Sequence, residues 1–145
     1  MIALLQRVTH ARVRVDGQDI AAIGAGLLVL VGVERDDSEA AADRLAERVV
    51  AYRVFADEAD RMNLSVRDVG GSVLLVPQFT LAADTSGGLR PSFSSAAPPA
   101  RGAELFERLV ARVQGSGVRV ECGRFGAHMQ VTLTNDGPVT FWLEA

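Results

Sequence analysis

Apolar and polar positions alternate with a period of two at the start of the chain, over Ile2 to Val8 and again over Ala11 to Val15, where Val13 and Val15 interleave with Arg12 and Arg14. Alternation of this kind sends one face of a strand into a core and the other toward solvent. Asp16-Gly17 then supplies a turn signal, so the segment predicts a hairpin. Past Gly24 and Gly26 the alternation gives way to a continuous apolar run, Leu27-Leu28-Val29-Leu30-Val31. That pattern predicts a central strand covered on both faces.

The period then changes. Ser38 follows Asp36 and Asp37, and Ala41, Leu45 and Val49 recur every four residues, which predicts a capped amphipathic helix ending near Tyr52. After a polar stretch around Asp57 to Asn63, Gly70-Gly71 leads into a predicted strand from Ser72 to Leu81. Between Ala82 and Pro99 glycine, proline and serine break both periods, predicting a long loop of the kind that carries binding surface. Pro98-Pro99 opens a second helix with an apolar stripe of Leu105, Phe106, Leu109, Val110 and Val113, stopped by Gly115 and Gly117. Val118 to Cys122, His128 to Thr134 and Val139 to Leu143 read as strands, the last two joined through a turn at Asn135-Asp136-Gly137-Pro138. The pattern predicts one domain over residues 1–145, with a mixed sheet and two main helices packed on one side. Its class is α/β or α+β, between which periodicity does not choose.

Composition narrows the function. A net charge of −3 and a pI near 5.3 argue against broad nucleic-acid binding, which depends on many cationic phosphate contacts. All 15 basic residues are arginine, suited to bidentate contacts with phosphates or carboxylates. The single Cys122 excludes an internal disulfide framework, and neither a secretory leader nor an apolar run long enough to span a bilayer is seen. A cytoplasmic setting is expected.

A serine-type triad has little to draw on, because only His10 and His128 are available and Gly115-Ser116-Gly117 is no nucleophile elbow. No spacing predicts a metal site, and no glycine loop predicts a nucleotide cradle, so neither metal nor cofactor is expected. Two segments stand out: Pro77-Gln78-Phe79-Thr80-Leu81 at a strand end, and Asn135-Asp136-Gly137-Pro138-Val139-Thr140 between strands. Taken singly, the first also reads as an ordinary strand with Phe79 in the core, and the second as a plain hairpin turn.

Together with Met1-Ile2-Ala3-Leu4-Leu5-Gln6-Arg7-Val8-Thr9, Gly26 to Leu30, Met62-Asn63-Leu64, Arg90-Pro91-Ser92-Phe93-Ser94 and Gly123-Arg124-Phe125, these segments resemble the D-aminoacyl-tRNA deacylase family along the whole chain. The resemblance implies that family's layered α/β fold and an editing hydrolase that cleaves D-aminoacyl-tRNA, and glycyl-tRNA, at the 3′ acceptor end. It implies a homodimer, with no membrane or DNA partner. Each active site would be built from Gln78, Phe79 and Thr80 and completed by a cis Gly137–Pro138 peptide from the other subunit. Backbone carbonyls there would hold the α-ammonium while an L side chain collides with the same backbone. The 2′-hydroxyl of the terminal ribose would help activate water, with N–H groups near Gln78 and Phe79 facing the oxyanion. Thr80 would then support the site without attacking the ester.

By the same resemblance Phe125 and Met129 wall the pocket for the terminal adenosine, and Arg7 braces the Gly137–Pro138 loop. One departure stands out, since the family commonly has serine before Gln78 and this chain has Pro77, with neither hydroxyl nor N–H. That change leaves room for a rival, a non-catalytic RNA-binding module on the same fold. A second rival is an esterase using Thr80 or a serine of the Ser92 to Ser95 loop.

Overall fold

The computed structural model describes residues 1–145, with strand β1 (Ile2–Val15) running through the middle of a six-stranded sheet. Its first half pairs antiparallel with β3 (Gly26–Gly32), from Ile2 opposite Gly32 to Val8 opposite Gly26. Its second half pairs with β2 (Gln18–Ile23) through a turn in which Asp16 and Gly17 both adopt positive φ. Along its other edge lies β8 (Gln130–Glu144). The sheet continues from β3 through β6 (Ser72–Pro77) to β7 (Arg119–Cys122), and both of these pairings are parallel. Parallel neighbours need long crossovers, and the helices α1 (Glu39–Ala51) and α2 (Pro99–Gly115) lie in them. The chain is thus mixed α/β.

Two apolar layers explain why Leu27 to Val31 shows no alternation. On one face Leu27, Val29, Val31, Val73 and Leu75 pack with Leu45 and Val49 of α1 and Leu105 and Leu109 of α2. On the other face Leu28, Leu74 and Val76 meet Val8, Ala11, Val13, Val15, Ala21 and Ile23, contributed by β1 and β2. Ser38 caps α1 by accepting the Ala41 N–H at 3.2 Å, as its position predicts. Arg108 clamps the helices together, with Nε and Nη2 donating to the two Asp43 oxygens at 2.8 and 2.9 Å and Nη1 donating to Glu39 at 2.9 Å.

The structure departs from the sequence pattern at four places. The two predicted segments of β1 form one strand with irregular register between Gln6 and His10, because β8 bridges both halves. The predicted strand from Ser72 to Leu81 stops at Pro77, and Phe79–Ala82 turn into a 3-10 helix. A ring in place of an N–H suits Pro77 to the last position of the ladder. Asn135-Asp136-Gly137-Pro138 makes no hairpin. Gln6 opposes Thr140 and Val8 opposes Asn135, so residues 136–139 of β8 stand against Arg7 alone and form a bulge, in which Asp136, Gly137 and Pro138 are extruded while Val139 is buried in the core. Finally, the polar stretch after α1 holds a small hairpin of β4 (Phe55–Ala56) and β5 (Met62–Leu64), whose turn is tied by Asp57 Oδ1 accepting the N–H groups of Ala59 and Arg61.

Gly26 sits where β3 first meets β6. A Cβ there would fall on the Ser72 carbonyl oxygen and within 2.8 Å of the Ser72 carbonyl carbon and nitrogen. Gly26→Ala is therefore expected to cost about 3 kcal/mol of stability, measured by chemical denaturation. The Arg108 hydrogen bonds hold the Asp43 carboxyl below its ordinary value. A depressed acid stabilises the fold above the ordinary carboxylate range, and its contribution disappears as pH falls through the folded value. Asp43→Asn should thus narrow the stability lost between neutral and acid pH, as followed by thermal melting, whereas an unchanged acid profile would show the clamp to be inert.

Candidate active site

The parallel strands β3, β6 and β7 all point their carboxyl ends the same way, the place where open sheets with crossover helices gather ligands. A cleft of ≈ 420 Å³ opens there. Val31 and Val33 come from the end of β3, Val76 to Phe79 from the end of β6, and Phe125 to Met129 from the chain after β7. Pro99, Gly102 and Phe106 at the start of α2, with Ala97 before it, close the remaining side. Periodicity could not have found these last residues, because their pattern signals only core packing.

Most of the cleft residues chosen from sequence meet here. Gln78, Phe79, Phe125 and Met129 line the cleft together with Pro77. Phe79 is 56 % exposed, which excludes the reading of it as a core residue, and its ring packs against Phe93 with centroids 5.1 Å apart. Thr80 is exposed on the same 3-10 turn, and its Oγ accepts a hydrogen bond from Gln78 Nε2. Gly102 leaves room for Phe125, since a Cβ would lie 3.3 Å from the ring. Gly123 does the same for Met129, whose sulfur would be 2.8 Å from an added Cβ.

The backbone corrects one expectation. The Gln78 N–H donates to the Val31 carbonyl at 2.7 Å and so is not free for an oxyanion. The N–H groups of Phe79 and Thr80 open the 3-10 turn and receive no acceptor from the loops or side chains around them. Helix starts leave such donors to a ligand or to water.

No nucleophile and base come together in the cleft. His128 stands exposed among its lining residues, and His10 lies elsewhere, 3.2 Å from Thr9 Oγ and 3.5 Å from Thr134 Oγ. Burial pushes the Cys122 thiol above its usual range, with the nearby Glu121 charge adding to the effect, so it is poorly suited to attack. No three His, Cys, Asp or Glu side chains are grouped to hold a metal.

Gly137 and Pro138 do not line this cleft in their own chain. They form the exposed tip of the β8 bulge, and the peptide between them is cis. Arg7 lies against the bulge, with Nε donating to the Asp136 carbonyl at 2.9 Å while Nη1 donates to the Val54 carbonyl at 2.7 Å. Asn135 closes it. Its Oδ1 accepts the Val139 N–H at 2.7 Å, and its Nδ2 is shared among the Val139 carbonyl, Thr140 Oγ and Gln6 Oε1. Sequence reading placed Asn135 only in a turn.

One chain therefore carries a cleft at the carboxyl ends of parallel strands and, apart from it, an exposed β-bulge, with no side-chain triad in the cleft. The profile described as D-Tyr-tRNA(Tyr) deacylase matches residues 4–144. The chain is 64% identical over 145 residues to the D-aminoacyl-tRNA deacylase of Alkalilimnicola ehrlichii, covering 100% of this chain and 97% of that one. It is 61% identical to that of Stutzerimonas stutzeri, with 100% of both chains covered. Among solved structures, one titled c-Myc DNA Unwinding Element Binding Protein superposes with a TM-score of 0.95 at 36% identity, over 100% of this chain and 99% of the other. A probable eukaryotic D-amino acid tRNA deacylase shares the fold with a TM-score of 0.88 at 17% identity, over 99% of this chain and 98% of the other. The chain belongs to the D-aminoacyl-tRNA deacylase family. Its reaction is the hydrolysis of the ester that joins a D-amino acid to tRNA. No helix is long and apolar enough to cross a membrane.

Asn135→Ala would leave the Val139 N–H without its acceptor, so a loss of about 1–3 kcal/mol is expected on chemical denaturation. A loss within error of zero would mean that the bulge is held by Arg7 alone.

Proposed function

We propose that the cleft binds the 3′-terminal adenosine of the tRNA and that the exposed Gly137–Pro138 tip completes the cleft of a second copy in a homodimer. The observation that carries this reading is the separation of the two halves. One chain holds a formed cleft at Gln78 and Phe79 and a braced bulge tip that does not line it. Two copies related by a two-fold axis satisfy both halves at once, because each gives its tip and receives the other. Phe125 offers an aromatic face and Met129 a polarizable sulfur to the purine.

With the adenosine seated, the ester carbonyl comes to the start of the 3-10 turn, where the N–H groups of Phe79 and Thr80 face the developing oxyanion. Carbonyls at the bulge tip accept from the α-ammonium group. An L side chain runs into the same backbone, a D side chain points away from it, and glycine, having none, passes. The filter is steric, so glycyl-tRNA is a substrate. The 2′-hydroxyl of the terminal ribose helps activate the attacking water. Water adds to the carbonyl carbon, the tetrahedral oxyanion collapses, the bond to the ribose 3′-oxygen breaks, and that oxygen takes up a proton. Thr80, hydrogen-bonded by Gln78, positions the turn and does not attack. Pro77 keeps the 3-10 turn in place without the hydroxyl that the family commonly carries there. The whole of residues 1–145 acts as one domain.

Purified protein should cleave D-tyrosyl-tRNA and glycyl-tRNA, spare L-tyrosyl-tRNA, and fail on a D-tyrosyl substrate whose terminal 2′-hydroxyl is replaced by hydrogen. Turnover of the deoxy substrate at the normal rate would refute RNA assistance. No turnover of any substrate would favour an RNA-binding module. Subunit mixing tests the shared site. Gln78→Ala and Gly137→Val should each be inactive alone, and co-expressed they should recover about one quarter of normal activity through mixed dimers with one intact site. No recovery would place both residues in the site of a single subunit.

A further inference from the structure

Of the 15 arginines of this acidic protein, five (Arg7, Arg14, Arg101, Arg108 and Arg112) form ion pairs with carboxylates and ten do not. Arg35, Arg90 and Arg124 are exposed and take no carboxylate partner, and each lies on the segment that follows one of the three parallel strands. Arg35 comes just after Val33, a cleft residue, and its N–H donates to the Ser95 carbonyl at 2.9 Å. Arg124 precedes Phe125 in the cleft wall, and its N–H points to Met129 Sδ at 3.3 Å. Arg90 sits in the loop after the 3-10 turn. That loop is fastened beside the cleft by the paired Asp84 and Ser92 main chains, by Ser95 Oγ donating to the Ala82 carbonyl at 2.6 Å, and by the Phe79–Phe93 contact.

The carboxylates on these segments are largely spent. Glu34 and Asp37 hold the Met1 amine at 2.9 and 2.6 Å, and Asp84 accepts the Ser86 N–H at 2.9 Å, leaving Asp36 as the one acid without such a partner. Three unpaired guanidinium groups therefore surround one end of a protein whose net charge is −3. Guanidinium matches phosphate oxygens bidentately and keeps its charge at all working pH values. From this placement we propose that Arg35, Arg90 and Arg124 bind phosphates of the unpaired 3′ end of the tRNA as it enters the cleft. The inference rests on the reading of the cleft as the adenosine site. It reconciles an overall acidic chain with a polyanionic substrate, because local cations at the cleft mouth draw in one strand while the rest of the surface repels nonspecific RNA.

Arg67 and Arg119 provide an internal comparison. They are equally exposed and lack ion pairs, but they lie at the amino ends of β6 and β7, away from the cleft, with Arg119 opposite Ser72 in the sheet. The test compares D-tyrosyl-tRNA with 3′-O-D-tyrosyl-adenosine, which carries the ester, the ribose and the base but no phosphate. Each of Arg35→Ala, Arg90→Ala and Arg124→Ala should raise KM for the tRNA about two- to five-fold with kcat retained. The triple variant should lower the slope of log(kcat/KM) against log salt by about 0.7 per lost contact. Cleavage of the adenosine ester should match the unaltered protein throughout, and the double variant Arg67→Ala/Arg119→Ala should leave both substrates unchanged.

Equal losses on both substrates would show that the three arginines organise the cleft and would overturn the proposal. So would an equal KM rise in the Arg67/Arg119 variant, which would mean diffuse attraction. An absence of any KM change on tRNA would overturn it as well. The adenosine-site reading fails separately and needs no arginine variant to do so, through a Phe125→Ala protein whose KM for the adenosine ester is unaltered.

Discussion

The pairing of β1 with β8 along both of its halves is the constraint on which the rest depends. Fourteen residues of β1 must serve β3 with the first half and β2 with the second, so the strand has to bend between them. β8 follows the same path on the other edge and loses register at the bend. Residues that cannot be paired there have to leave the sheet, and they leave as the Gly137–Pro138 tip. An exposed projection is thus produced by sheet geometry, and Asn135 and Arg7 brace it by meeting main-chain groups that the ladder no longer satisfies.

The same bend makes the core two-sided. Once β1 and β2 fold back over Leu28, Leu74 and Val76, both faces of the parallel strands are dry. Such strands present their chemistry at their ends, because their faces are occupied. All three carboxyl ends open into one cleft whose lining is mostly apolar.

The candidate site was partly legible in the sequence. Gln78, Phe79, Phe125 and Met129 converge on the cleft as their segments suggested, although nothing in their spacing, forty-six residues apart from Phe79 to Phe125, could bring them together without the β6–β7 pairing. Arg7 meets the bulge because β1 and β8 are neighbours. What sequence reading misassigned is the donor set. The Gln78 N–H looked available, yet a strand end that ladders onto Val31 uses it, and only the following turn frees the next two.

What the sequence determined by itself is local. Period-two alternation, the apolar run of β3, the Ser38 cap and the stripe of α2 follow from side-chain chemistry acting over one or two turns of chain, and they hold in the structure. Tertiary structure decided where the chain reverses. Asp16-Gly17 turns, while Asn135-Asp136-Gly137-Pro138, with an equally strong turn signature, is carried straight on and extruded. The physical reason is that a turn propensity is worth little beside a ladder of hydrogen bonds on either side of it, and only the folded chain supplies β1 as the partner for both halves of β8.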